Sequence, residues 1–124
     1  MVNKIVHPQE ITVLYILPSI RREIAMNMKS RGVEQKKIAL MLGVTEPAVS
    51  QYSNHKRGFG IRFSAKIKEE IKKSVEKIIG KKSTALTEIQ NLINLSEMKG
   101  ILCLLHKKSG GISKDCMICS ELKN

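Results

Sequence analysis

The sequence has no tryptophan, and its only other aromatic residues are Tyr15, Tyr52, Phe59 and Phe63. Surfaces that hold single-stranded nucleic acid stack bases on flat rings, so this scarcity argues against that class of ligand. Cysteine is also scarce: there are three, all between residues 103 and 119. An odd, clustered set does not make a disulfide framework, and in a reducing compartment it points to metal ligands, a redox site or inert buried thiols. Long apolar runs are missing too. None approaches the roughly 18 to 20 residues that a membrane span needs, and the opening "MVNKIVHPQEIT" lacks the apolar core of a secretory signal. No membrane association and a cytoplasmic location are therefore expected.

Acidic side chains number 11 against 22 lysines and arginines, a formal charge of +11. That excess draws a protein toward polyanions, either nucleic acid or an anionic membrane surface, unless it serves only solubility. Glycine-rich phosphate loops and nucleophile–base arrangements are absent, so the chain is not expected to be an enzyme and shows no evident small-molecule substrate. At 124 residues it suits one compact domain, or a small domain with a short appendage.

What is present reads as helix throughout. Proline is confined to positions 8, 18 and 47, and glycines at 32, 43, 58, 60, 80, 100, 110 and 111 fall between stretches of helical periodicity. "PSIRREIAMNMKSRG" has Pro18 in a first turn and Gly32 just past the end, with Ile20, Ile24 and Met28 four apart on one face. "SAKIKEEIKKSVEKIIG" has Ser64 as N-cap, Gly80 as terminator and a narrow apolar seam of Ile67, Ile71, Val75 and Ile78. A third, strongly apolar block begins near Thr84 and continues to Lys108, carrying Leu86 and Ile89 through Leu104 and Leu105.

Two halves differ in chemistry. Residues 1–63 carry 10 basic and 4 acidic side chains and all five arginines, while 64–124 carry 12 lysines and 7 acids. Arginine is the better partner for phosphates and guanine edges, so the N-terminal half is the expected DNA-facing one. The expected organisation is a DNA-binding domain over 1–63 and a helical dimerisation region with a C-terminal metal or cluster site over 64–124.

The most informative stretch is "QKKIALMLGVTEPAVSQYSN", residues 35–54. A helix of about eight residues ends at Gly43 and a second restarts behind Thr45, an N-cap accepting from the amides that follow, with Pro47 tolerated in the first turn. Two closely crossing helices need a small residue midway along the first and a residue of positive φ in the turn. Ala39 and Gly43 occupy those places, and Ile38, Leu42, Val44 and Val49 fall where the helices meet.

In "IALMLGVTEPAVSQY" the sequence resembles the lambda-repressor-like helix-turn-helix family of transcription regulators, the Xre or Cro type. "LPSIRREIAMNMKSRGVEQKKIA" further resembles small archaeal-type regulators that open with a "PAIRRELA"-like helix. The resemblance covers about residues 17–58 and implies a sequence-specific DNA-binding regulator. Its second helix would enter the major groove of double-stranded DNA, with Thr45 at its head. Glu46, Ser50 and Gln51 would lie near base edges, and Asn54 further along. Gln51 would pair with adenine; Glu46 would accept from cytosine N4, or simply serve the helix dipole. Gln35 and Lys36 would grip phosphate, and Tyr52, His55, Lys56 and Arg57 would also meet the DNA backbone. A homodimer is implied as well. The seam on 64–79 and the apolar block 86–105 are either its interface or an internal core.

The cysteines follow the spacing Cys103-x2-His106-x9-Cys116-x2-Cys119. Two-residue gaps let each pair converge on one ion, and Gly110 and Gly111 let the loop turn back. Three thiolates and an imidazole suit tetrahedral zinc, a structural staple; the same set suits an iron–sulfur cluster. The balance tips slightly to the cluster, because a regulator needs an input and little else here could supply one. Other readings stay open: Cys103 as a buried thiol, His106 as a solvent-facing residue at a helix end, Cys116 and Cys119 as a metal-free redox switch.

The fold expected is all-α: a helix-turn-helix domain, then C-terminal helices and a small loop carrying the three cysteines and histidine. The alternative function is an antitoxin-like or partner-binding protein that uses the helix-turn-helix for autoregulation.

Overall fold

The computed structural model describes residues 7–54 and 61–108, with side chains as far as Leu105. Every regular element among them is helical: α1 (Pro8–Ile11), a wide π turn (Thr12–Ile16), α2 (Leu17–Ser30), α3 (Gln35–Leu42), α4 (Glu46–Ser53), α5 (Ala65–Ile79), α6 (Ala85–Ile93) and α7 (Ser96–Lys108). None of these helices is long and apolar enough to cross a membrane.

Pro18 lies in the first turn of α2, as the sequence expects, and ahead of it the chain is already helical from Pro8 without a break. Pro18 explains the wide turn ahead of it. A proline ring crowds the carbonyl four residues back and donates nothing, so the preceding turn loosens. Leu17 accordingly donates its N–H five residues back, to the Thr12 carbonyl. The β-branched run "ITV" hides this segment from a search for period 3.6.

α2 is the central strut. Ile20, Ile24, Ala25 and Met28 are fully buried on it, and it contacts α3, α4, α5 and α6. Side-chain caps set where the later helices begin: Ser64 Oγ accepts from the Ile67 N–H and Thr84 Oγ1 from the Thr87 N–H, each at 3.2 Å. Each such cap contributes about 1 kcal/mol. The head of α5 is also tied to the first turn of α7, where Glu97 accepts from Ser64 Oγ and pairs with Lys66, both at 3.2 Å.

The seam of α5 is internal: Ile67, Ile71, Val75 and Ile78 are all buried within the single chain, which leaves none of them for a partner copy. One apolar cluster joins residues of both halves, from Ile16 and Val49 through Ile71 to Leu92 and Met98. The expected boundary between residues 63 and 64 therefore falls at the head of α5, inside a shared core.

Three further details concern the helix ends and Gly100. The third apolar block is two helices, broken where Asn94 caps α6 and Ser96 opens α7; Asn and Ser side chains compete for backbone hydrogen bonds and favour such breaks. Gly80 ends α5 as the sequence expects, with an ordinary φ of −77°, and the left-handed residue is Lys81 at +59°. Gly100 lies inside α7 instead of between helices.

Candidate nucleic-acid interface

α3 and α4 form a compact pair whose geometry follows from a few residues. Gly43 takes φ +68° and ψ +33°, a conformation in which a Cβ is strained, and this reverses the chain after α3. The Val44 N–H then donates to the Ala39 carbonyl at 3.0 Å, closing the end of α3. Thr45 restarts the helix, its Oγ1 accepting from the Ala48 N–H at 3.2 Å. Pro47 sits in the first turn of α4, where an N–H is not needed.

Ile38, Ala39 and Leu42 of α3 and Ala48 and Val49 of α4 are buried, so the two helices approach through small and branched side chains. A hydrogen bond pins their outer edge: Gln35 Nε2 donates to the Glu46 carbonyl at 3.3 Å, joining the first residue of α3 to the first of α4.

The polar side chains expected at this face are displayed there. Lys36, Thr45, Glu46 and Asn54 are exposed, and Gln35, Ser50 and Gln51 are half-buried. Tyr52 is not displayed. It is 2% exposed and belongs to the core cluster, which corrects its assignment as a phosphate contact. The reason is its position: Ala48, Val49 and Tyr52 lie three and four residues apart on the inner face of α4. His55, Lys56 and Arg57 lie outside the described residues.

Two cations join the face that sequence reasoning passed over. Lys37 is exposed beside Lys36, and both line a shallow depression of about 490 Å³ with Glu34, Leu40, Val44 and Glu46. Lys29, from the end of α2, donates to Ser53 Oγ at 3.0 Å in the last turn of α4. Lys37 was findable from its place in the first turn of α3. Lys29 was not, since it is 24 residues from its partner. The assembled face combines ammonium groups with amide, hydroxyl and carboxylate groups on a rigid backbone. That combination can pair with phosphates and hydrogen-bond planar polar edges.

Of the four expected metal ligands, Cys103 lies on α7 as a half-buried free thiol, and His106 occupies the position one turn later on the same helix. Cys116 and Cys119 lie outside the described residues. Among the described residues no three His, Cys, Asp or Glu side chains converge as a metal site would require.

No protein-family profile matches the chain, and neither a curated protein nor a solved structure does.

Proposed function

We propose that this chain is a sequence-specific, double-stranded-DNA-binding transcription regulator of the lambda-repressor-like helix-turn-helix type, acting in the cytoplasm as a homodimer. The observation that carries the reading is the α3–α4 pair: a left-handed Gly43, a capping Thr45 and a buried Ala39 hold two short helices at close quarters. Over that apolar underside the pair presents Lys36, Lys37, Glu46, Ser50 and Gln51.

In this reading α4 lies in the major groove. Gln51 and Ser50 read base edges, with Gln51 suited to adenine and Glu46 to the cytosine amino group. Lys36, Lys37 and Lys29 neutralise phosphates on either side, and Asn54, His55, Lys56 and Arg57 extend the backbone contacts beyond α4. Gln35 keeps α3 and α4 in register through Glu46, while Tyr52 supports α4 from beneath. The net charge of +11 supplies the long-range attraction.

Cys103, His106, Cys116 and Cys119 hold an iron–sulfur cluster or a zinc ion in this proposal. Cys103 and His106 fit that role so far as α7 is concerned, one helical turn apart near its C-terminal end. A bound cluster would make the chain responsive to oxygen or iron, whereas zinc would staple the C-terminal segment.

The test is selection of bound duplexes from a random double-stranded pool by the full chain, followed by titration with and without Gln51→Ala. A defined motif whose affinity drops with the substitution is expected. Equal affinity for all duplexes, or none for any, overturns the reading.

A further inference from the structure

Several large apolar side chains stand exposed on a chain this charged. Val13, Leu14 and Tyr15 on the wide turn are 59%, 63% and 51% exposed, and Leu40 and Leu86 are 83% and 81% exposed. Among the described residues Leu104 on α7 is the one other large apolar side chain so exposed, and the five named here lie on the wide turn, α3 and α6, where they mark a contact surface.

Leu40 and Leu86 rim a groove of about 390 Å³ between α2, the end of α3 and α6, floored by Leu17, Ile89 and Ile93 with Arg21 at one edge. The Nε of Arg21 is inaccessible to solvent and has no hydrogen-bond partner. One to two turns up the same helical segment, Val13 and Leu14 are exposed, and Glu10 lies exposed beyond them. The exposed pair Val13 and Leu14, a knob, and the Leu17–Arg21 wall of the groove thus share one continuous helical segment, with an acid at one end and a guanidinium at the other.

The order of these residues is symmetric. Around a centre between Tyr15 and Ile16, Leu14 is opposite Leu17, Val13 opposite Pro18, and Glu10 opposite Arg21. A self-complementary patch of this kind is what a two-fold contact requires, in which residue i meets j and j meets i. Antiparallel pairing of two copies carries the knob of each into the groove of the other, and brings Glu10 of each to Arg21 of its mate.

We infer that the chain self-associates through this face: Val13 and Leu14 of one copy seat against Leu17, Leu40 and Leu86 of a second, with reciprocal Glu10–Arg21 pairs at the ends. The inference deepens the homodimer part of the proposed function and rests on it. It does not depend on DNA binding. It also relocates the interface, since the α5 seam is consumed by the monomer core. Leu40 lines both this groove and the depression behind Lys36 and Lys37, so the contact borders the α3–α4 face.

Sedimentation velocity on the full chain, without DNA and in enough salt to screen the repulsion between two basic copies, tests this across the micromolar range. Leu14→Asp is expected to raise the dimer dissociation constant on the order of tenfold or more, as loss of a central apolar anchor does. Glu10→Arg and Arg21→Glu should each weaken the dimer by setting like charges face to face, and the double exchange should restore it. Circular dichroism checks that each variant is folded; if Arg21→Glu does not fold, Glu10→Arg and Leu14→Asp, both at exposed positions, decide the matter. A wild-type chain that stays monomeric overturns the homodimer reading itself. A dimer indifferent to these substitutions keeps that reading and overturns this interface.

Discussion

Gln35 and Glu46 stand at the heads of α3 and α4, and the side-chain amide of the first donates to the backbone carbonyl of the second at 3.3 Å. The bond joins the first residue of one helix to the first residue of the other at the protein surface. Replacing Gln35 with alanine should therefore cost about 0.5–1.5 kcal/mol in urea denaturation, the worth of one half-exposed hydrogen bond. The loss in DNA affinity should exceed what that small destabilisation explains, because α4 loses its fixed angle. Affinity measured well below the unfolding midpoint separates the two effects.

Gly43 offers a cleaner stability test. No atom lies within 4 Å of where its Cβ would be, so Gly43→Ala adds no clash and reports only the strain of φ +68°. About 1–2 kcal/mol of destabilisation is expected. Thr45→Ala, which removes the cap on Ala48, should cost about 1 kcal/mol. Equilibrium unfolding of both variants checks the pair, and an unchanged Gly43→Ala would mean the turn is not held as described.

The contribution of Tyr52 separates core from interface. A buried aromatic ring cut to alanine loses about 3–5 kcal/mol, so Tyr52→Ala should unfold the chain or nearly so. A phosphate contact at the surface would instead cost DNA affinity with stability unchanged. Thermal denaturation distinguishes these outcomes directly.

These residues also show how far sequence alone carries. Local signals with a single physical cause are readable: the positive-φ glycine at 43, the hydroxyl caps at 45 and 64, and the seam of α5 spaced four, four and three. Signals that depend on distant neighbours are not. The helix through residues 8–16 is masked by β-branched residues and by Pro18, which looks like a start. Leu86 reads as core beside Ile89, yet it points outward, because whether a leucine is covered depends on which helix lies across from it. Tyr52 follows from the resemblance as a contact at the end of the recognition helix, whereas its spacing from Ala48 and Val49 puts it on the inner face.

Base reading and phosphate neutralisation should separate in binding data. Gln51→Ala is expected to cost about 1–3 kcal/mol on the preferred duplex and to relax preference at one base pair, with little change in salt dependence. Lys36→Ala and Lys37→Ala should weaken binding to all duplexes alike, and each should reduce the slope of log affinity against log salt by about one. Titrations at several salt concentrations on matched and mismatched duplexes supply both quantities.

The C-terminal cysteines allow a test that does not involve DNA. The core cluster draws on residues from Ile16 to Met98, with Leu102 and Leu105 packed at its edge. Protein purified without oxygen should carry either iron with inorganic sulfide or one zinc per chain. Cys116→Ser should lose that metal while keeping its far-ultraviolet circular dichroism. A visible absorption band bleached by the substitution would assign a cluster, and a colourless zinc protein would assign a staple. A wild-type chain without metal, whose Cys116 and Cys119 oxidise to a disulfide, would replace both with a thiol switch. Cys103 would then be an ordinary half-buried thiol on α7.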